Sequence, residues 1–172
     1  MHVYDRLAEA GRAVGLRHAG LKALASLRME KGYRDYGHDI DNTDTVLEAG
    51  LGFAVALDKP GGFIGREAVL AQKECGPLRR RLVQVLLKDP APLLFHAEVV
   101  HRNGRPAGYI RSASYGFTLG GAVGLAMIDA AEPIDQAYLD AGEWTVQIGA
   151  DRYPAVASLR PMYDPANERI RI

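Results

Sequence analysis

LRMEKGYRDYGHDIDNTDTVLEAGL, residues 27–51, is a charged and aromatic stretch set between an apolar, helix-like lead-in that ends at Met29 and a strand-like run that begins at Phe53. It holds Arg28, Glu30, Tyr33, Arg34, Tyr36, His38, Asp39 and Glu48, broken by the turn residues Gly32, Gly37 and Gly50. Ionisable groups gathered where one element gives way to the next point to a site, because loops carry function on a rigid scaffold. The competing reading is a solvated loop that happens to hold charges.

Glu30 offers specific chemistry. A carboxylate arriving at the end of a helix accepts two parallel hydrogen bonds from a planar donor pair. The ring N–H and neighbouring amino group of an amino-pyrimidinone, as in a pterin, form such a pair. Tyr33 and Tyr36 add flat amphipathic faces against which a ring can lie, or else pack under the loop. Taken bare, Glu30 also reads as a surface acid paired with Arg28 or Lys31, since most such acids are exposed. His38 and Asp39 invite comparison with a general acid/base pair, but adjacent positions point apart, and both read as surface residues. The acids Asp39, Asp41 and Asp44 lack the glycine and closing glutamate of a calcium loop, so no metal site is assigned.

The spacing of Val3, Leu7, Ala10 and Val14 predicts an amphipathic helix over 3–14, with Gly15 as its stop. Leu16–Gly20 reads as a short strand or connector. A second helix over 21–30 presents Leu21, Leu24, Ala25 and Leu27 and delivers Glu30 to its last turn. Gly52–Leu57 reads as a buried strand and Gly65–Glu74 as a helix with Ala68, Val69 and Leu70 facing inward. Gly76-Pro77 marks a boundary. Beyond it lie strands over 82–87, 98–101, 106–110, 122–128, 144–148 and 153–159. Asn103-Gly104 is a strong two-residue hairpin signal. Short strands at this spacing predict a small antiparallel barrel or sandwich. The glycines at 120, 121 and 124 have no strand–turn–helix context, which argues against a dinucleotide fingerprint.

The words LRMEKGYR, EAGLGFAVALDK and FIGREAVL (63–70) closely resemble the folate-dependent aminomethyltransferase family. That family includes the glycine cleavage T-protein and the C-terminal parts of dimethylglycine and sarcosine dehydrogenases, and the wording is nearest to the dehydrogenase side. The resemblance covers nearly the whole chain. It implies an α+β fold, with 1–76 the C-terminal part of the folate-binding domain, an α/β segment, and 77–172 a small antiparallel β-barrel. It implies that Glu30 holds the pterin ring and that Lys59 stands where some relatives carry a folate-contacting arginine, here as a point charge. The ending MYDPANERIRI (162–172) matches the family's usual close and is expected to seal the barrel. Thr45-Val46 departs from the family's Thr-Pro, which frees an amide and loosens the loop.

Family members carry a long segment before the equivalent of Met1. It holds the start of the folate domain and an aspartate thought to act on the amine or the folate nitrogen. In the dehydrogenases a flavin domain precedes it, so FAD belongs only to that part. The resemblance therefore implies the C-terminal portion of a tetrahydrofolate-dependent aminomethyltransferase, or of a dimethylglycine or sarcosine dehydrogenase, with no catalytic residue assigned and little activity expected of the chain alone. The alternative is a non-catalytic folate-binding module or a subunit of a split enzyme. A related iron–sulfur maintenance branch carries a cysteine in the aligned words, where this chain reads EKGYRDYGHD.

Composition agrees with this reading. The 172 residues hold 21 Lys+Arg against 21 Asp+Glu, which excludes the basic excess of a nucleic-acid or membrane-surface protein. The one basic run, Arg79–Arg81, reads as solvated. Cys75 is the single cysteine, which rules out an intramolecular disulfide framework. No apolar run approaches membrane-spanning length. A cytoplasmic chain is expected, or a mitochondrial matrix one if eukaryotic. Folate, the missing N-terminal half or a partner subunit, and a second copy of the chain are the expected partners.

Overall fold

The structure, a computed structural model, describes residues 2–171; Met1 and Ile172, the outer ends of the two expected domains, lie outside the described residues. Six antiparallel strands close into a barrel: β1 (Arg80–Leu87), β2 (Val99–Arg102), β3 (Arg105–Gly116), β4 (Gly121–Asp129), β5 (Trp144–Ile148) and β6 (Asp151–Ser158). Their order around the barrel is β1-β4-β3-β2-β5-β6. The β2–β3 hairpin turns on Asn103 and Gly104, both at positive φ (51° and 77°), as a tight primed turn requires. The helices are α1 (His2–Gly11), α2 (Leu21–Glu30), α3 (Arg66–Glu74) and the short α4 (Gln136–Asp140), of which α2 packs on β3 and β4 and α4 touches β6. The α+β architecture expected from the sequence is present.

Side-chain alternation sets two cores. Val83, Val85, Val100, Ile110, Ala126, Ile128 and Val146 fill the barrel interior. On its outer face Leu82, Val123, Leu125 and Met127 meet Met29 of α2. Strand β4 is therefore buried on both sides from Gly121 to Ile128, which is why AVGLAMI reads as an unbroken apolar run rather than an alternating one. A bulge between Ile110 and Ser112 shifts the β3–β4 register, so that Ser112 sits opposite Leu125 on the face toward α2. The bulge turns Ser112 toward α2, a common use of the device beside sites.

Gly108 lies where β3 crosses closest to β4. A Cβ there would stand 2.0 Å from the Met127 carbonyl oxygen, a clash with backbone that no rotamer relieves. Gly108→Ala is expected to cost about 1–3 kcal/mol through forced strand separation. A lowered urea midpoint is the measurement, and an unchanged midpoint would mean the β3–β4 spacing is looser than this.

Four expectations are corrected. Gly52–Leu57 is not a strand: Gly52–Ala54 form a single 3-10 turn. A strand persists by pairing its N–H and C=O groups with a neighbour, and none of the six strands pairs with this run. Helix α3 buries no residue, so Val69 and Leu70 are only partly covered and Ala68 is exposed. The first helix stops at Gly11 and continues only as a 3-10 turn over Arg12–Val14. The run at 79–81 is not uniformly solvated. Arg80 pairs with the buried Asp44 at 2.7 Å, and Arg81 donates to the Ile134 carbonyl at 3.3 Å.

Candidate functional site

Helix α2 lies across β3 and β4 with Ala25, Ser26 and Met29 turned inward. Its last turn would leave orphan carbonyls. Gln84, buried on β1, donates through Nε2 to the Met29 carbonyl at 2.6 Å and the Glu30 carbonyl at 3.2 Å, and its Oε1 accepts the Met162 N–H at 2.6 Å. One side chain thus ties the helix end and the C-terminal segment to the barrel.

Glu30 is 2% exposed. Its Oε1 accepts the N–H groups of Thr118 (2.6 Å) and Leu119 (3.1 Å) from the turn joining β3 to β4, while Oε2 accepts no hydrogen bond among the described residues. A helix C-terminus repels negative charge, so a carboxylate buried there depends on such donors. It pairs with neither Arg28 nor Lys31, the partners a surface reading supplies. Arg28 donates to Asp39 at 2.6 Å, to Ser112 Oγ at 3.0 Å and to the Tyr33 carbonyl at 3.1 Å. Lys31 turns to the C-terminal segment, donating to the Asp164 carbonyl (2.7 Å), Asp164 Oδ2 (3.0 Å) and Asn167 Oδ1 (2.7 Å).

Asp39 corrects the surface reading of the His38–Asp39 pair. It is 0% exposed, whereas its neighbour His38 is exposed. It accepts from Arg28, from the Ser112 hydroxyl and from the Asp35 N–H. Arg34 donates to the Ala49 carbonyl at 3.0 Å and the Gly32 carbonyl at 2.7 Å, closing the loop on itself. Burial pulls the Arg34 pKa down, and the nearby Asp39 charge opposes this. Thr45 and Glu48 cap each other reciprocally, Thr45 N–H to Glu48 Oε2 at 3.0 Å and Glu48 N–H to Thr45 Oγ1 at 3.2 Å. This box orders the turn where the family's proline is lacking.

Tyr33, Tyr36 and Lys59 are exposed. Lys59 borders an open depression of about 930 Å³ walled by residues 61–68, which Glu30, Tyr33 and Tyr36 do not line. Glu30 thus presents one open carboxylate oxygen beside the β3–β4 turn, and Lys59 lies on different ground.

The Lys31 clamp has an acid dependence. Burial pushes the Asp164 carboxyl up, but the Lys31 hydrogen bond, the N–H groups of Glu168 and Arg169 and the Lys31 charge outweigh it and hold the pKa below the ordinary carboxylate value. A depressed folded pKa stabilises above the unfolded value, about 3.9, and that contribution is lost as pH falls through the folded value. Denaturation midpoints taken below about pH 4 should fall for the native chain and fall less steeply for Lys31→Met. Parallel slopes would remove the clamp from the acid response.

The profile described as GCVT N-terminal domain matches residues 1–59, and that described as Glycine cleavage T-protein C-terminal barrel domain matches residues 80–164. The chain is 46% identical over 171 residues to a 4-methylaminobutanoate oxidase (formaldehyde-forming) of Paenarthrobacter nicotinovorans, covering 99% of this chain and 20% of that protein. It is 36% identical over 171 residues to the mitochondrial sarcosine dehydrogenase of Homo sapiens, covering 98% and 18%. The chain thus spans about a fifth of the length of these relatives. A crystal structure of the glycine cleavage system aminomethyltransferase T from Bartonella henselae superposes with a TM-score of 0.70 at 24% identity, over 88% of this chain and 41% of that one; this likeness bears on fold alone.

Proposed function

This chain belongs to the glycine cleavage T-protein family, and from that premise we propose that it supplies the barrel and the pterin-holding end of an enzyme that moves a one-carbon unit from an N-methyl or aminomethyl amine to tetrahydrofolate. The observation that carries the reading is the Glu30 carboxylate, fixed on the last turn of α2 by the β3–β4 turn with one oxygen uncommitted among the described residues. Tetrahydrofolate supplies the nitrogen that accepts the one-carbon unit. Within this chain, Glu30 Oε2 takes one donor of the ring's paired edge, Tyr33 and Tyr36 offer faces for the ring, and Lys59 meets the glutamate tail. The amine and the proton transfers belong to residues this chain does not assign. A saturable calorimetric isotherm with tetrahydrofolate supports the reading, and heats of dilution alone overturn it.

A second reading keeps folate binding but not chemistry: a non-catalytic module, or one subunit of a split enzyme. Turnover once a partner supplies the rest of the folate domain supports a part of an enzyme; folate binding without turnover in that mixture supports the non-catalytic module. The apolar outer face of α1 and α2, with Val3, Leu7, Leu24 and Leu27 exposed and Leu21 at 84% exposure, is a surface for that remainder or for a second copy. Light scattering at tens of micromolar should give a mass above the monomer; a strictly monomeric chain counts against it. No helix among the described residues is long and apolar enough to cross a membrane. A cytoplasmic setting, or the mitochondrial matrix in a eukaryote, completes the proposal.

A further inference from the structure

Counting lone pairs at Glu30 leads past simple ring binding. An ionised carboxylate has two oxygens and about four acceptor sites. Oε1 already fills two of them with the Thr118 and Leu119 N–H groups. A planar donor pair engages a carboxylate with one bond to each oxygen. Oε2 can take its share, but Oε1 has no lone pair left for the other. The turn is packed close as well. A Cβ at Gly116 would stand 3.2 Å from Glu30 Cγ and Oε1, and 3.0 Å from Val123 Cγ1, so the turn rests directly on the acid's stem.

We infer that the turn Phe117–Gly120 positions Glu30 in the free protein and yields one of its two amide bonds to the ligand, so that ring binding and turn release are a single exchange. This rests on the reading of Glu30 as the pterin acceptor. Leu119 gives way first, because its bond is the longer, 3.1 Å against 2.6 Å. The Thr118 bond remains and keeps the carboxylate aimed. The base of the turn stays closed, since the Gly120 N–H donates to the Gly116 carbonyl at 2.8 Å independently of Glu30. Phe117, set between the Gly116 carbonyl and the Thr118 amide that both stay bonded, keeps its place. It is 81% exposed and touches Tyr115 edge-on with ring centroids 5.2 Å apart. The release is therefore confined to the Leu119 amide, and this exposed aromatic face is already open when a flat ring arrives.

Amide hydrogen exchange of the isotope-labelled chain, followed residue by residue while tetrahydrofolate is titrated in, tests the exchange directly. The expected result is that Leu119 loses at least tenfold of its protection at saturation while Thr118 and Gly120 keep theirs. Glu30→Gln, run beside it, is expected to lower Leu119 protection without ligand and to weaken binding. Saturable, Glu30-dependent binding with Leu119 protection unchanged overturns the exchange and leaves the acceptor reading standing. Binding unaffected by Glu30→Gln, or no binding at all, overturns both. Should Glu30→Gln unfold, the native chain's Leu119 protection against ligand concentration decides the matter alone.

Discussion

Asp39→Ala is expected to destabilise the fold by about 3–5 kcal/mol, the range for removing one partner of a buried ion pair. Asp39 has no exposure, and three groups converge on it: the Arg28 guanidinium, the Ser112 hydroxyl and the Asp35 amide. Alanine leaves all three facing a void, with a cation held in place by its remaining bonds to Ser112 and the Tyr33 carbonyl. The loss follows from the uncompensated charge more than from the value of the pair itself, since pairs replaced whole often cost little. Asp39→Asn keeps one acceptor oxygen for Arg28 and the Asp35 amide and can turn its amide N–H to the Ser112 hydroxyl oxygen, so it should cost less than alanine. Arg28→Met combined with Asp39→Ala should cost less than the sum of the two single changes, because each alone strands the other. Urea unfolding of the native chain, the three single variants and the double variant is the measurement. Additive losses would show that the two side chains do not act as a pair.

How much of this was legible in the chain divides along a physical line. The barrel was readable because its signals are local: Asn103-Gly104 dictates a tight hairpin, and the apolar runs at 82–87, 122–128 and 144–148 sit near their observed strands β1, β4 and β5. The end of α2 at Glu30 was readable from helical spacing. What failed depends on partners distant in sequence. Gly52–Leu57 has strand composition, but no neighbouring strand pairs with its backbone. The role of Asp39 is set by Ser112, 73 positions away, and by a bulge whose location no residue in IRSAS announces. Gln84 looks like an ordinary polar position on a strand, yet it is buried and joins α2 to the C-terminal segment. Glu30 is singled out in the sequence by its chemistry and by resemblance, and its amide partners are visible only in the fold.

These long-range ties bear on function in one way. Glu30, Arg28 and Lys31 are within four positions on one helix end, and each is held by a different element: the β3–β4 turn, the Asp39 loop with β3, and the C-terminal segment. The helix end is thereby fixed from three sides. A site whose supporting residues are locked in this way holds its acceptor in place before the ligand arrives, which lowers the ordering cost of binding.

The isolated chain is expected to bind tetrahydrofolate detectably but poorly, to carry out no demethylation or aminomethyl transfer, and to lose further affinity in Glu30→Gln. Folate-dependent transfer requires the pterin held flat, a base beside the reacting nitrogen, and water kept from the one-carbon unit. Under the proposed reading Glu30 serves the first requirement, and no residue of this chain is assigned to the other two. Tyr33 and Tyr36 stand in solvent, so a ring lying on them stays wet on its outer face and gains little from burial. The amide of Glu30→Gln presents an N–H₂ to ligand donors or to the Thr118 and Leu119 amides, whichever way it turns. One donor–donor conflict therefore persists in either orientation, at a cost on the order of 1–3 kcal/mol. Calorimetric titration of both proteins, with formaldehyde and amine release followed in parallel, is the measurement. Equal affinities would remove Glu30 from the site, and turnover by the 172-residue chain alone would mean that it carries a base of its own.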